Sequence, residues 1–298
     1  MTVEIASNVG PARIDIAYER IGDPKDPPVL LIMGLGTQLL GWHDGLIEGL
    51  VARGLHVIRF DNRDVGLSTH LHGAPLPNLP AAIAGDTSSA SYTLSDMAAD
   101  AVGLLDALGI SSAHMVGASM GGFIAQTIAI EHSNAIRSLT SIMSSTGDRT
   151  VGQPSPDVLA VLMGPPATTR QQVIDRTVAT FRVIASPGFD VNFDEVAQRV
   201  GIAYDRAFDP LGMARQAVAV MASGDRTPKL RNVKLPTLVI HGSHDKMCDV
   251  SGGRATAAAI PGAELVVIEG MGHDLPRAIW PRLCDLIAQH VQRVEHAK

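Results

Sequence analysis

Gly117-Ala118-Ser119-Met120-Gly121 is a G-x-S-x-G pentapeptide with an apolar run, Ala113–Val116, before it and a helical apolar pattern after it, Phe123, Ile124, Ala125, Ile128, Ala129 and Ile130. A serine hydroxyl is a weak nucleophile until a base takes its proton. A sharp strand-to-helix turn can hold such a hydroxyl exposed above a sheet, but only if the neighbours two positions away lack side chains that would strike the adjoining backbone. Gly117 and Gly121 meet that need. The turn also leaves the Met120 N–H at a helix N-terminus, where negative charge is favoured.

The base and its partner come from distant segments. His273 follows two glycines in Gly270-Met271-Gly272-His273, after an apolar run, and Asp245 follows the run Thr237–Ile240. An imidazole with an ordinary pKa near 6.5 can take and return a proton at neutral pH. A carboxylate behind it holds the productive tautomer and stabilises the imidazolium. Ser119, Asp245 and His273 each fall just past the carboxyl end of an expected strand, and parallel strands bring those ends to one sheet edge. Two rivals for the carboxylate are less well placed. Asp249 belongs to the start of the next helix, and Asp274, adjacent to the base, cannot easily face it. His241, His244, Asp245 and Asp249 would offer zinc ligands, but no distant ligand completes the set. Gly34-Leu35-Gly36 starts like a dinucleotide fingerprint and fails at Leu39. Nothing in the chain calls for a metal or a cofactor.

These residues need a scaffold. Val3–Ala6 and Arg13–Tyr18 read as an antiparallel hairpin at a sheet edge, around Gly10-Pro11. Val29–Met33 is continuously apolar, as a strand buried on both faces requires. Gly34-Leu35-Gly36 follows it, and a loop there can turn N–H groups toward a ligand; the Leu35 N–H is the expected second oxyanion donor beside Met120. Gln38–Gly54 has helical character. His56–Phe60 reads as a strand ending in Asp61-Asn62-Arg63-Asp64, where Asp61 and Arg63 are expected to brace the loop through ion pairs. His70–Ala90 reads as irregular surface. Tyr92–Leu108 is an amphipathic helix with a Thr93/Asp96 capping box and Gly109 as its stop. Ile136–Met143 is a further strand. From Ser144 to Val233 the strand–helix alternation lapses into helical stretches such as Gln171–Ile184, broken at Pro165-Pro166, Pro187-Gly188 and Pro210. It resumes with Thr237–Ile240, a helix around Ala255–Ala259, Leu265–Ile268 and a closing helix over Pro281–Val294.

Composition narrows the function. With 298 residues and 46% hydrophobic content the chain can bury a large α/β core. Its net charge of −6 disfavours nucleic acid and anionic membranes as partners. Met1–Gly10 lacks the basic and apolar regions of a secretory signal. No apolar run approaches the roughly 20 residues of a membrane span. Cys248 and Cys284 make no disulfide framework and are read as reduced, partly buried thiols; a reactive Cys248 is the functional alternative. These features lead us to expect a cytoplasmic location.

The order Ser, Asp, His is that of the α/β-hydrolase arrangement. Together with Gly34-Leu35-Gly36, the Asp61–Ser68 loop, His241-Gly242 and Gly270-Met271-Gly272-His273, it makes the chain resemble the α/β-hydrolase superfamily across nearly its whole length, and within it the aclacinomycin-methylesterase-like group. That group overlaps with esterases, proline-iminopeptidase-like and cofactor-free perhydrolase-like members. Many members carry His-Gly before the oxyanion loop; here the pair is Met33-Gly34. Serine at the turn argues against the epoxide-hydrolase and haloalkane-dehalogenase branches. The resemblance implies a mostly parallel eight-stranded sheet flanked by helices, with a core of residues 1–143 and 234–298 and a helical cap over 144–233. It implies a carboxylic ester hydrolase with Ser119 as nucleophile, His273 as base, Asp245 as its orienter, and Leu35 and Met120 as oxyanion donors. The partner would be a small-molecule ester, and a homodimer is left open. The same triad could serve perhydrolysis, or amide or carbon–carbon cleavage. A ligand-binding receptor on the same fold is the reading from another class.

Overall fold

The structure is a computed structural model that describes residues 2–164 and 166–297. Pro165, half of the expected Pro165-Pro166 break, lies outside the described residues. Eight strands form one sheet: β1 (Glu4–Val9), β2 (Ile14–Ile21), β3 (Pro28–Ile32), β4 (His56–Phe60), β5 (Ala113–Ala118), β6 (Ile136–Ile142), β7 (Thr237–Gly242) and β8 (Glu264–Ile268). Their order across the sheet is β1-β2-β4-β3-β5-β6-β7-β8. β2 runs against both neighbours, and every pairing from β4 to β8 is parallel. The N-terminal hairpin therefore occupies one edge, and β5, which leads to Ser119, is central.

The helices are α1 (Asp44–Val51), α2 (Leu79–Ile83), α3 (Leu94–Ala107), α4 (Met120–Glu131), α5 (Pro156–Leu162), α6 (Arg170–Ile184), α7 (Phe193–Arg206), α8 (Pro210–Ser223), α9 (Thr227–Leu230), α10 (Ser251–Ala259) and α11 (Trp280–Glu295). The short α2 is a departure from the irregular stretch expected over His70–Ala90. Its N-cap is Asn78, whose side chain accepts from the Ala81 N–H, and Pro80 occupies its first turn. Both residues also signal turns, so composition alone did not separate the two outcomes. α3 starts with the expected capping exchange, the Asp96 carboxylate accepting from the Thr93 N–H at 2.8 Å.

Strand alternation divides the core in two. Leu30, Ile32, Met115 and Leu139 pack with α3 and α4 through Leu94, Met97, Leu104, Ile124 and Ile128. Val29, Leu31, Val116 and Ile240 face the other way, against Leu46 and Ile47 of α1 and Leu283 and Ile287 of α11. The sheet is thus covered on both faces, which is what a continuously apolar parallel strand demands. Between β6 and β7 the described residues make five helices, α5 to α9, and no strand. α7 and α8 seat on the loop after β4 through ion pairs. Arg215 grips Asp64 with two hydrogen bonds of 2.8 Å, and Arg206 pairs with Asp61 at 2.7 Å.

Candidate active site

Ser119 stands at the junction of β5 and α4. Its backbone is left-handed, at φ 56° and ψ −121°, a conformation unfavourable for a residue with a side chain. The surroundings hold it there. The Ser119 N–H donates to the Ile142 carbonyl at 2.9 Å, and its own carbonyl accepts from the Gly122 N–H and the Ser144 hydroxyl, each at 2.9 Å. Methyl groups on Gly117 or Gly121 would overlap the Gly121 or Ile32 carbonyl groups, so the turn closes only around bare backbone.

With its backbone committed, Ser119 presents Oγ to His273 Nε2 at 3.0 Å. The other ring nitrogen, Nδ1, contacts Asp245 Oδ2 at 2.7 Å. Three segments separated by up to 154 residues thus form one hydrogen-bonded row. The Asp245 side chain is fully buried, and its second oxygen accepts from the N–H groups of Met247 (2.9 Å) and Cys248 (2.8 Å). Burial pushes its carboxyl up. The facing His273, together with His241 and the Cys248 N–H, outweighs burial and holds it at about 2. An anion kept at neutral pH beside Nδ1 needs the proton of that nitrogen, which leaves Nε2 as an acceptor toward the serine.

The Gly34-Leu35-Gly36 loop passes directly over this row. A methyl on Gly34 would lie 3.1 Å from Ser119 Cβ. Among the described residues no acceptor takes the N–H of Leu35 or of Met120. The loop carrying His273 is fastened from the α6–α7 connection. The His273 N–H donates to the Ile184 carbonyl at 2.8 Å, and the Ser186 hydroxyl accepts from the Gly272 N–H at 2.8 Å while donating to Asp274. Asp274 is thus engaged by Ser186, and the carboxylate on the ring is Asp245. Burial raises its carboxyl, and the Ser186 bonds oppose that only in part.

Other expected roles resolve differently. Asp61 and Arg63 brace their loop, but through separate partners: Asp61 takes Arg206 and the Leu39 and Leu67 N–H groups, whereas Arg63 takes Asp100 at 2.5 Å. His241 is buried with Nε2 on the Cys248 carbonyl at 2.7 Å, and Asp249 accepts from the Ser251 N–H at 2.9 Å. Among the described residues, the ligand atoms that do cluster belong to His70, His72 and Asp209; there Arg215 already holds Asp209 at 3.2 Å. Cys248 is free and buried, which speaks against the reactive-thiol alternative. Burial first, and the nearby Asp245 and Asp249 second, push its thiol far above the usual range, which keeps it protonated. Residues that sequence reasoning missed are Ser186, Asn62 and Gln216. The role of each exists only through contacts made across the fold.

Residues 27–187 match the alpha/beta hydrolase fold family. The chain belongs to that family. It is 31% identical over 92% of its length to rhodomycin D methylesterase DnrP of Streptomyces peucetius, covering 94% of that protein. It is 26% identical over 87% of its length to the putative non-heme bromoperoxidase BpoC of Mycobacterium tuberculosis, covering 91% of it. Among solved structures, the esterase RhEst1 from Rhodococcus superposes with a TM-score of 0.73 at 19% identity, covering 99% of this chain and all of that one, which is a likeness of fold. No helix of the described residues is long and apolar enough to cross a membrane.

Proposed function

We propose that this protein is a serine hydrolase of carboxylic esters working through an acyl-enzyme. The observation that carries the reading is the unbroken row Ser119 Oγ, His273 Nε2 and Nδ1, Asp245 Oδ2, at 3.0 and 2.7 Å. In this reading Ser119 Oγ attacks the ester carbonyl while His273 Nε2 takes its proton. The carbonyl oxygen, now an anion, is held by the N–H groups of Leu35 and Met120. His273 returns the proton to the departing alcohol, and a water activated by the same nitrogen then releases the acid. Asp245 holds the ring in the required tautomer throughout. Residues 144–233 act as a cap that shapes the acyl or alcohol pocket. The methylesterase relative directs the substrate search first to methyl esters. The free, buried state of both thiols supports a reducing, cytoplasmic setting.

The test is a panel of methyl and p-nitrophenyl esters of graded acyl length, with and without a serine-directed phosphonate. Wild-type turnover abolished by phosphonylation at Ser119, and a Ser119→Ala variant reduced on the order of 10⁶-fold, is the expected result. Substantial hydrolysis by a clean Ser119→Ala preparation would refute it. A second reading, peroxide in place of water as acyl acceptor, draws on the similarity to the bromoperoxidase relative; Ser119-dependent halogenation with peroxide and an organic acid would favour it.

A further inference from the structure

Leu35 is flanked by Gly34 and Gly36, and Gly36 has a φ of 62°. Glycines on both sides let a loop pivot at small energetic cost, so the pose of the Leu35 N–H must be set by what the loop touches. Two buried side chains take hold of it. Asn62 Nδ2 donates to the Met33 carbonyl at 3.0 Å on the strand side. Gln216, fully buried on α8, accepts from the Gly36 N–H at 2.8 Å through Oε1 and donates from Nε2 to the Arg63 carbonyl at 2.7 Å. Those partners fix the amide orientation, because an N–H can only donate and a carbonyl only accept. The far end of the bridge is rigid: the Arg63 guanidinium is locked to Asp100 by bonds of 2.5 and 2.7 Å. The near end is seated by Met213, one helical turn before Gln216, whose side chain packs against Gly36. α8 itself is anchored by the Arg215–Asp64 pair.

We propose that Gln216 is a positioning residue for catalysis: from the segment between β6 and β7 it holds the Gly34-Leu35-Gly36 loop in the pose that aims the Leu35 N–H at the developing oxyanion. This rests on the ester-hydrolase reading and adds to it that the helical insertion completes the catalytic centre in addition to covering it. The consequence is selective. Loosening the loop weakens stabilisation of the transition state, whereas ground-state binding of the ester is left nearly intact.

The experiment compares Gln216→Met with Gln216→Glu in the full chain. Both lose the donor to the Arg63 carbonyl; only Q216M also loses the acceptor for the Gly36 N–H. Q216M is expected to lower kcat on p-nitrophenyl acetate about 10- to 100-fold with KM within about threefold, the scale of a misplaced donor. Q216E keeps an acceptor for the Gly36 N–H but sets a second oxygen against the Arg63 carbonyl, so it is expected to lower kcat at least as far. Amide exchange at Gly36 should quicken at least about tenfold in Q216M while the amides of α8 keep their protection. Phosphonylation of Ser119 runs alongside, since its rate depends on the oxyanion donors and needs no natural substrate. Wild-type kcat and Gly36 protection in Q216M overturns the proposal and leaves Gln216 a packing residue. If the wild-type chain neither hydrolyses esters nor reacts with the phosphonate, the ester-hydrolase reading fails instead. Gly36 exchange then still decides whether Gln216 holds the loop.

Discussion

Asp245→Asn changes one oxygen to an amide nitrogen and leaves the shape of the site in place. The amide oxygen can still accept from the N–H groups of Met247 and Cys248, which Asp245 now holds at 2.9 and 2.8 Å. The amide NH₂ then faces His273 Nδ1 in place of the oxygen that lies 2.7 Å away. A donor at that position forces Nδ1 to accept, so the ring proton moves to Nε2 and points at Ser119. The base is then blocked in the tautomer that cannot take a proton. A loss of about 10⁴ in kcat follows, ~5.5 kcal/mol of transition-state stabilisation, with little change in KM. The same substitution has a signature in stability. The Asp245 carboxyl sits at about 2 in the folded chain against an ordinary 3.8, so the folded state favours the anion by about 2 kcal/mol. That contribution is fully present above the unfolded value, near pH 4, and is lost as pH falls toward 2. Urea titrations at stepped pH should show the decline in the wild type and a shallower one in D245N. Ester turnover, circular dichroism and ¹⁵N spectra of the imidazole complete the assay. A folded D245N enzyme with more than about a tenth of wild-type kcat would refute the tautomer argument, and equal acid slopes would refute the account of the carboxylate.

Three further outcomes are expected. Gly121→Ala places a methyl against the Ile32 carbonyl, so the chain should lose at least about 2 kcal/mol in denaturant titration and lose ester turnover with it. Arg215→Met removes the cation from fully buried Asp64, leaving Tyr92 and the Leu71 N–H on it, and should cost about 3–5 kcal/mol of stability by the same titration. Cys248, buried and held as the thiol, should resist iodoacetamide at pH 8 in the native chain and react fully in denaturant; mass spectrometry of the alkylated peptide reads both states.

The parts of this protein that were legible in its sequence are those that local rules govern. Val29–Ile32 is apolar at every position because both faces of its strand are covered, and it reads as such without a structure. Gly117 and Gly121 announce a turn too tight for side chains, and the observed overlap at both positions is that constraint seen from the other side. The short α2 was not legible, since Asn78 and Pro80 suit a helix start and an irregular loop equally. The Asp61 and Arg63 network was legible in kind only. Charged residues at a strand end need partners, but that one would find Arg206 on α7 and the other Asp100 on α3 depends on which helices the fold lays beside the loop.

By itself the sequence determined the types of candidate reacting group and the local backbone that presents each: a serine at a glycine-bounded turn, and a histidine and an aspartate at strand ends in a set order. Tertiary structure alone decided the distances and the fastening, because Ser119, Asp245 and His273 meet only when three parallel strands stand in register. Only the fold could bring Gln216 to Gly36 across 180 residues and Ser186 to Gly272 across 86. A hydrogen bond needs its partners within about 3 Å, and no local pattern of residues specifies a distance between segments that only packing brings together.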